Sequence, residues 1–373
     1  MQNEGRQELV KARRVVIKIG SRAISTDATI CERLASGVAG AQADRRSVAM
    51  VSSGAIALGM RKLGLTARPK EMGLLQAAAA AGQSVLMRMY EEAFMSKGLL
   101  VAQVLLTHAD LADRTRANNA RDALAALLDA RVVPVINEND TVAVDEIRFG
   151  DNDLLASMVT PLVSADLLIL LSDVPGLLDE KGQRVGVVRN VTREARPLVR
   201  ASTSGPGTGG MQSKIEAARR GMLAGASVVV ADAREPDIID AILAGADVGT
   251  LFLPHPQRIH ARKHWIAFTL RPRGAILLDQ GAVEAVLERG RSVLPVGVLG
   301  VRGQFGPGDA VTLVAPDGRE IGRGLARLAA SEAAAVAGKK GEELAAWRGG
   351  ADDGDVVVVH RDDLVLAYDE GSA

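Results

Sequence analysis

The chain has 373 residues, enough for two domains with sizeable cores. Lys+Arg and Asp+Glu both number 45, so no global charge draws it to nucleic acid or an anionic membrane, and aromatics at 2% leave few rings for base stacking. Cys31 is the only cysteine, which excludes an intrachain disulfide and predicts a reduced thiol in or near a core, without a Cys/His signature for nucleophilic work. The polar N-terminus, Met1 to Lys11, and the lack of any apolar run of about eighteen residues predict neither a signal peptide nor a membrane span, hence a cytoplasmic protein.

Through residue 253, short apolar runs alternate with longer helical stretches. The first predicted strand, Val15–Ile19, carries Lys18 and leads straight into Gly20 and Ser21. A lysine inside an apolar strand is costly unless its ammonium has an anionic partner; the other reading is a side chain that snorkels to the surface. The strand Ser47–Val51 ends in Ser52-Ser53-Gly54-Ala55-Ile56-Ala57. Backbone N–H groups at such a strand-to-helix turn suit a carboxylate or phosphate, although an ordinary serine N-cap also accounts for it. A helix at Glu71–Lys97, a strand at Leu99–Leu106 and a helix at Thr115–Ala130 follow.

The strand Val132–Ile136 ends in Asn137-Glu138-Asn139-Asp140, with Phe149-Gly150-Asp151-Asn152-Asp153 close behind. The two clusters suit Mg²⁺ or the ammonium of an amphoteric ligand, or are simply an acidic solvated loop. A helix is predicted at Asn152–Leu162. Next comes the strand Asp166–Leu171, ending in the polar turn Ser172-Asp173-Val174-Pro175-Gly176. The segment from Gly182 to Thr208 reads as a hairpin at Gly182-Gln183 and then a mobile loop.

Gly207-Thr208-Gly209-Gly210-Met211-Gln212-Ser213-Lys214 is the most telling stretch. Glycines let a backbone approach a ligand closely, and the helix predicted at Lys214–Leu223 offers free N–H groups and a positive dipole end. With the charge of Lys214 this reads as a phosphate cradle; the alternative is a plain glycine-rich connector. It is neither a P-loop nor a dinucleotide fingerprint. Ser227–Ala231 and Gly249–Leu253 are predicted strands around a helix at Pro236–Leu243. The alternation predicts an α/β domain over 1–253, a mostly parallel sheet sandwiched by helices.

Residues 254–273 read as a linker holding Pro254, Pro256 and Pro272 and one helix near Arg258–Phe268. His255, His260 and His264 lack companion ligands at metal spacing, so a solvated basic segment is expected. From 274 to 373 the texture is that of a small, mainly β domain. Strands are predicted at Ala275–Leu278, Val296–Arg302, Ala310–Val314, Arg319–Ala326 and Asp355–Val359, and helices at Gly281–Arg289 and Ser331–Val336.

In an open α/β sheet ligands sit beyond the carboxyl ends of the strands, where these polar turns collect. Phosphoryl transfer matches the set: Lys18 and Lys214 are the two cations, and Asp153 is placed to hold both ammonium groups.

Val16-Ile17-Lys18-Ile19-Gly20-Ser21, Ser52 to Ala57, Asn137 to Asp140, Gly150 to Asp153 and Gly207 to Lys214, in this order, resemble the amino acid kinase family, in its glutamate 5-kinase branch. The C-terminal part resembles a PUA domain. The resemblance runs from about Arg14 to Leu366. It implies ATP-dependent phosphorylation of L-glutamate to L-glutamyl 5-phosphate with Mg²⁺ carried mainly on the ATP phosphates, the opening step of proline biosynthesis, inhibited by proline. It also implies a homo-oligomer, dimer or tetramer. Ser53, Asp140 and Asn152 would bind glutamate. Lys18, Ser172, Asp173, Thr208, Gly209, Gly210, Met211, Gln212, Ser213 and Lys214 would bind ATP. Lys18, Lys214, Asp151 and Asp153 would form the catalytic set. Rival readings are a relative acting on aspartate, N-acetylglutamate, carbamate or UMP, and an RNA-binding PUA protein with a kinase-like scaffold.

Overall fold

The computed structural model describes residues 2–143, 152–201, 210–256, 258–347 and 356–367. The chain divides into two compact units, Met1–Arg258 and Ile259–Ala373.

In the first unit the apolar runs become strands β1 (Arg14–Ile19), β2 (Ser47–Val51), β3 (Val101–Leu106), β4 (Val133–Glu138), β5 (Leu167–Ser172), β6 (Val187–Val188), β7 (Ser227–Asp232) and β8 (Thr250–Phe252). They form one sheet in the order β3-β4-β2-β1-β5-β7-β8-β6. Every neighbouring pair is parallel except β7 with β8. All six residues of β5 are buried, as expected of a strand covered on both faces.

Helices α1 (Gln2–Lys11), α2 (Ser21–Thr26), α3 (Ile30–Ala43), α4 (Ala55–Lys62), α5 (Met72–Met95), α6 (His108–Ala112), α7 (Arg114–Asp129), α8 (Asn152–Leu162), α9 (Arg196–Ala201), α10 (Met211–Leu223) and α11 (Ile238–Leu243) connect these strands. The period of two along each strand sorts the core into two layers. Val15, Ile17 and Ile19 of β1 pack with Leu34 and Val38 of α3 and with Tyr90 and Phe94 of α5. Val16 packs on the other face with Val159 of α8 and Ala218 of α10. Lys18 shares the parity of Val16, and so faces the side of the sheet that carries α8 and α10.

Several boundaries differ from expectation. α3 was not anticipated, because its alanines and glycines give little apolar contrast, although Leu34, Ala35 and Val38 are buried along one stripe. β4 runs two residues further, since Asn137 and Glu138 pair with Leu105 and Leu106 of β3. α10 begins at Met211, so Met211, Gln212 and Ser213 form its first turn rather than the glycine loop. The predicted hairpin is present: Leu178 bridges Arg184, with Gly182 at φ 75°. The mobile loop expected after it is instead β6, a π-helical turn at Val191–Ala195 and α9 as far as 201. Cys31 is buried on α3, and burial pushes its thiol up to about 11.

The second unit is a five-stranded sheet of β9 (Gly274–Leu278), β10 (Val298–Gly303), β11 (Ala310–Val314), β12 (Glu320–Ala326) and β13 (Val359–Leu366), in the order β10-β9-β11-β12-β13. Only β9 and β11 pair in parallel. The last strand lies at Val359–Leu366, not 355–359. Its run of His360, Arg361, Asp362 and Asp363 hid it, yet Asp363 is buried and ion-paired with Arg262 at 2.5 Å. The helices expected near 281 and 331 are present at Gln280–Leu287 and Ala330–Val336; one at Glu342–Trp347 was not foreseen. The segment read as a solvated linker contains Ala261–His264 and a π-helical turn, Trp265–Thr269. His264 corrects the solvated reading most clearly: it is buried, its ring centroid 4.8 Å from that of Phe268.

Candidate active site

The strand parity that turns Lys18 toward α8 gives it the partner its burial demands. Lys18 Nζ lies 2.5 Å from Asp153 Oδ1, and Lys214 Nζ lies 3.1 Å from Asp153 Oδ2. Ser213 Oγ donates to the same Oδ2 at 2.9 Å. Lys18, Asp153 and Lys214 are 6%, 0% and 5% exposed, so the charges meet where water screens them little. Burial alone would raise the Asp153 carboxyl, but the Lys18 and Lys214 ammonium groups outweigh it and hold the carboxyl below its usual range. Two ammonium ions around one carboxylate leave a net positive cluster at the C-terminal end of β1 and the first turn of α10. A cluster of this sign favours an anion. Lysines 18 and 214, far apart in sequence, thus converge on one carboxylate.

A polar network surrounds the turn after β2. Gly54 caps α4 with φ 102°, a conformation that suits glycine. Neither serine before it caps the helix. Ser52 Oγ accepts from the buried Tyr90 hydroxyl at 3.0 Å and donates to the Ser53 carbonyl. Ser53 Oγ accepts from Asn152 Nδ2 at 2.9 Å, and the same nitrogen lies 2.6 Å from the Ser52 carbonyl and 3.0 Å from Asn137 Oδ1. Asn137 Nδ2 in turn donates to Gln83 Oε1 at 2.8 Å. Serine as an ordinary N-cap is therefore not what this turn uses. Asp140 follows β4, and desolvation raises its carboxyl to about 6 against the opposing pull of Arg68.

At the end of β5, Ser172 Oγ donates to Asp173 Oδ1 at 3.2 Å. Burial works to raise Asp173, but its backbone N–H and the Arg22 ion pair prevail and hold it below its usual range. Arg234 donates to the Asp173 carbonyl at 3.0 Å. Gly210 is the N-cap of α10, with Met211 and Gln212 opening its first turn. Asp151, Thr208 and Gly209 lie outside the described residues.

Of the residues singled out in the sequence, Lys18, Asp153, Ser213 and Lys214 meet in one cluster, and Ser53 and Asn152 in another. The two are joined because Asn152 and Asp153 are successive residues at the start of α8. Asp140, Ser172 and Asp173 stand at the ends of β4 and β5 on the same sheet edge. Gln83, Tyr90 and Ser52 were missed as network members. The one available signal was the seven-residue spacing of Gln83 and Tyr90, which puts them on one face of α5.

The amino acid kinase family matches residues 13–232 of the chain, and the PUA domain residues 274–348. The chain is 45% identical over 372 residues to a glutamate 5-kinase of Trichlorobacter lovleyi, covering 96% of this chain and 98% of that protein. It is 46% identical over 374 residues to a glutamate 5-kinase of Myxococcus xanthus, covering 97% and 98% respectively. A glutamate 5-kinase of Syntrophotalea carbinolica is 43% identical over 368 residues, with 96% and 98% covered. With more than half of its length matching one family and 43–46% identity over nearly the whole length of these enzymes, the chain belongs to the amino acid kinase family, in its glutamate 5-kinase branch.

Proposed function

We propose that the chain transfers the γ-phosphoryl group of ATP to the γ-carboxylate of L-glutamate, giving L-glutamyl 5-phosphate and ADP. The observation that carries the chemistry is the single buried carboxylate of Asp153 between the ammonium groups of Lys18 and Lys214. In the reaction a carboxylate oxygen attacks phosphorus in line, the new O–P bond forms, and the bond to the β-phosphate oxygen breaks with its electron pair on ADP. No base is needed, because the attacking carboxylate is already ionised at neutral pH. The barrier is charge repulsion and positioning, which two fixed ammonium groups lower.

Lys18 and Lys214 hold the transferring phosphoryl group, Asp153 holds the lysines, and Asp151 completes the catalytic set. Ser53, Asp140 and Asn152 bind glutamate, with Asp140 taking its ammonium group. Ser172, Asp173 and the loop from Thr208 to Lys214 bind ATP. Magnesium would enter with the nucleotide and would supply charge neutralisation. Both oxygens of Asp153 already serve ammonium groups, and no cluster of three or more His, Cys, Asp or Glu suited to a metal occurs among the described residues. Residues 1–253 form the kinase domain, 254–273 the connection and 274–373 the PUA domain; proline acts as inhibitor of a homo-oligomer. Catalysis rather than RNA binding is favoured because the arginines of the stretch 319–327 stand beside acids: Arg319 by Asp317, Arg323 by Glu320 and Arg327 by Asp363, which Arg262 shares.

The test is ADP release from Mg-ATP with L-glutamate, aspartate, N-acetylglutamate, carbamate and UMP, the acyl phosphate being trapped as its hydroxamate. L-glutamate should be preferred and proline should slow it. Preference for another acceptor would overturn the reading.

A further inference from the structure

The amide chain behind the β2 turn has a direction, and it ends in a donor with no acceptor among the described residues. The Ser52 carbonyl can only accept, so Asn152 must present its NH₂ there, at 2.6 Å. The same nitrogen lies 3.0 Å from Asn137 Oδ1; a flipped Asn137 would set donor against donor there, so its NH₂ turns toward Gln83 Oε1. Each amide orients the next, and Gln83 Nε2 is left over. That nitrogen is buried and has no hydrogen-bond partner among the described residues. Gln76, two turns earlier on α5, makes the contrast: its Nε2 reaches the Ala143 carbonyl at 3.3 Å.

A buried orphan donor is disfavoured, and it asks for an acceptor beyond the described residues. Gln83 cannot easily retreat, because α5 is pressed against α4. A Cβ added at Gly82 would stand 1.8 Å from the Ala55 carbonyl oxygen. The substrate proposed for this turn carries two carboxylates. One goes to the lysine cluster. Among Ser53, Asp140 and Asn152 no group is cationic, and the Asn152 amide is already directed at Ser52, Ser53 and Asn137, so the α-carboxylate has room for a donor beyond the Ser53 hydroxyl.

We propose that Gln83 is a specificity-determining residue whose side-chain NH₂ donates to the α-carboxylate of the amino-acid substrate. The inference rests on the glutamate reading above.

The experiment compares L-glutamate with its α-amide, in which the γ-carboxylate is unchanged, as acceptors for the wild-type chain, Gln83→Met and Gln83→Glu. If the wild type turns over neither acceptor, the glutamate reading itself has failed. Given wild-type turnover, Gln83→Met should raise KM for L-glutamate about ten- to a hundredfold, the range of a hydrogen bond to a charged group. KM for ATP should stay within about twofold, and the preference for glutamate over its α-amide should shrink. Gln83→Glu keeps the shape, so it serves even where the methionine variant fails to fold. Its carboxylate repels an α-carboxylate and accepts from an α-amide, so the preference should invert. Equal losses on both acceptors would reduce Gln83 to a support for Asn137. Unchanged KM values would show that something other than substrate satisfies the amide. Either result overturns the proposal.

Discussion

Replacing Asp153 by Asn tests the centre of the site with almost no change in shape. The side chain is fully buried, with Lys18 Nζ at 2.5 Å and Lys214 Nζ at 3.1 Å. Neutralising it takes the cluster from one net positive charge to two, with no anion left inside. Removing one member of a buried ion pair costs about 3–5 kcal/mol, so the ligand-free variant should lose stability by about that much. Turnover should fall by about 10²–10³, the effect of losing an electrostatic contact that organises the transition state. The two losses should respond differently to nucleotide. Triphosphate oxygens supply the missing negative charge, so a non-hydrolysable ATP analogue should stabilise the variant more than the wild type. Denaturant unfolding with and without the analogue, beside ADP-release kinetics, measures both. A variant within about 1 kcal/mol of wild type in stability, with kcat retained, would refute the role given to this carboxylate.

Lys18→Ala and Lys214→Ala should each lose most turnover yet stay folded, because Asp153 keeps its other lysine; near-normal kcat in either would remove that residue from the mechanism. Asp140 rises from 3.8 to about 6 on folding. The folded chain therefore holds this proton longer than the unfolded one, and the group's contribution to stability falls as pH rises between those values. The same ionisation creates the anion that meets the substrate ammonium. KM for glutamate should thus improve as pH rises through about 6, and Asp140→Asn should raise KM and flatten that profile while KM for ATP holds. Gly82→Ala places a methyl 1.8 Å from the Ala55 carbonyl oxygen. It should cost at least about 1–3 kcal/mol by overpacking and weaken glutamate binding as α5 is pushed off the turn; a thermal melt unchanged from wild type would contradict the close packing.

What could be read from residues alone was local chemistry that had one cheap solution. Lys18 in an apolar strand demands an anion, and Asp153, in the acidic cluster before α8, is the partner that answers both lysines. The parallel sheet followed from the short Val-, Ile- and Leu-rich runs. What could not be read depended on which faces meet. Ser52 and Ser53 look the same in sequence whether they cap a helix or feed a network. Gln83 is an ordinary polar residue of a long helix until the glycine contact at position 82 sets it beside Asn137. α3 was hidden by small residues that bury well but show little contrast. β13 was hidden by charges that find partners only in the folded second unit, and His264 by neighbours that made a buried ring look solvated.

The start of α8 acts as a ruler. Asn152 reaches the β2 turn and the next residue, Asp153, reaches both lysines, so the span between the turn and the lysine pair is set by one backbone step. On the reading proposed above, a longer or shorter acceptor is not accommodated by sliding its phosphate end, because Lys18, Asp153 and Lys214 on β1, α8 and α10 fix that end from three directions. Acceptor length can be retuned only from the far side, through the residues of the β2 turn, the end of β4 and α5. Engineering toward a new amino acid would begin there, leaving the phosphoryl machinery untouched.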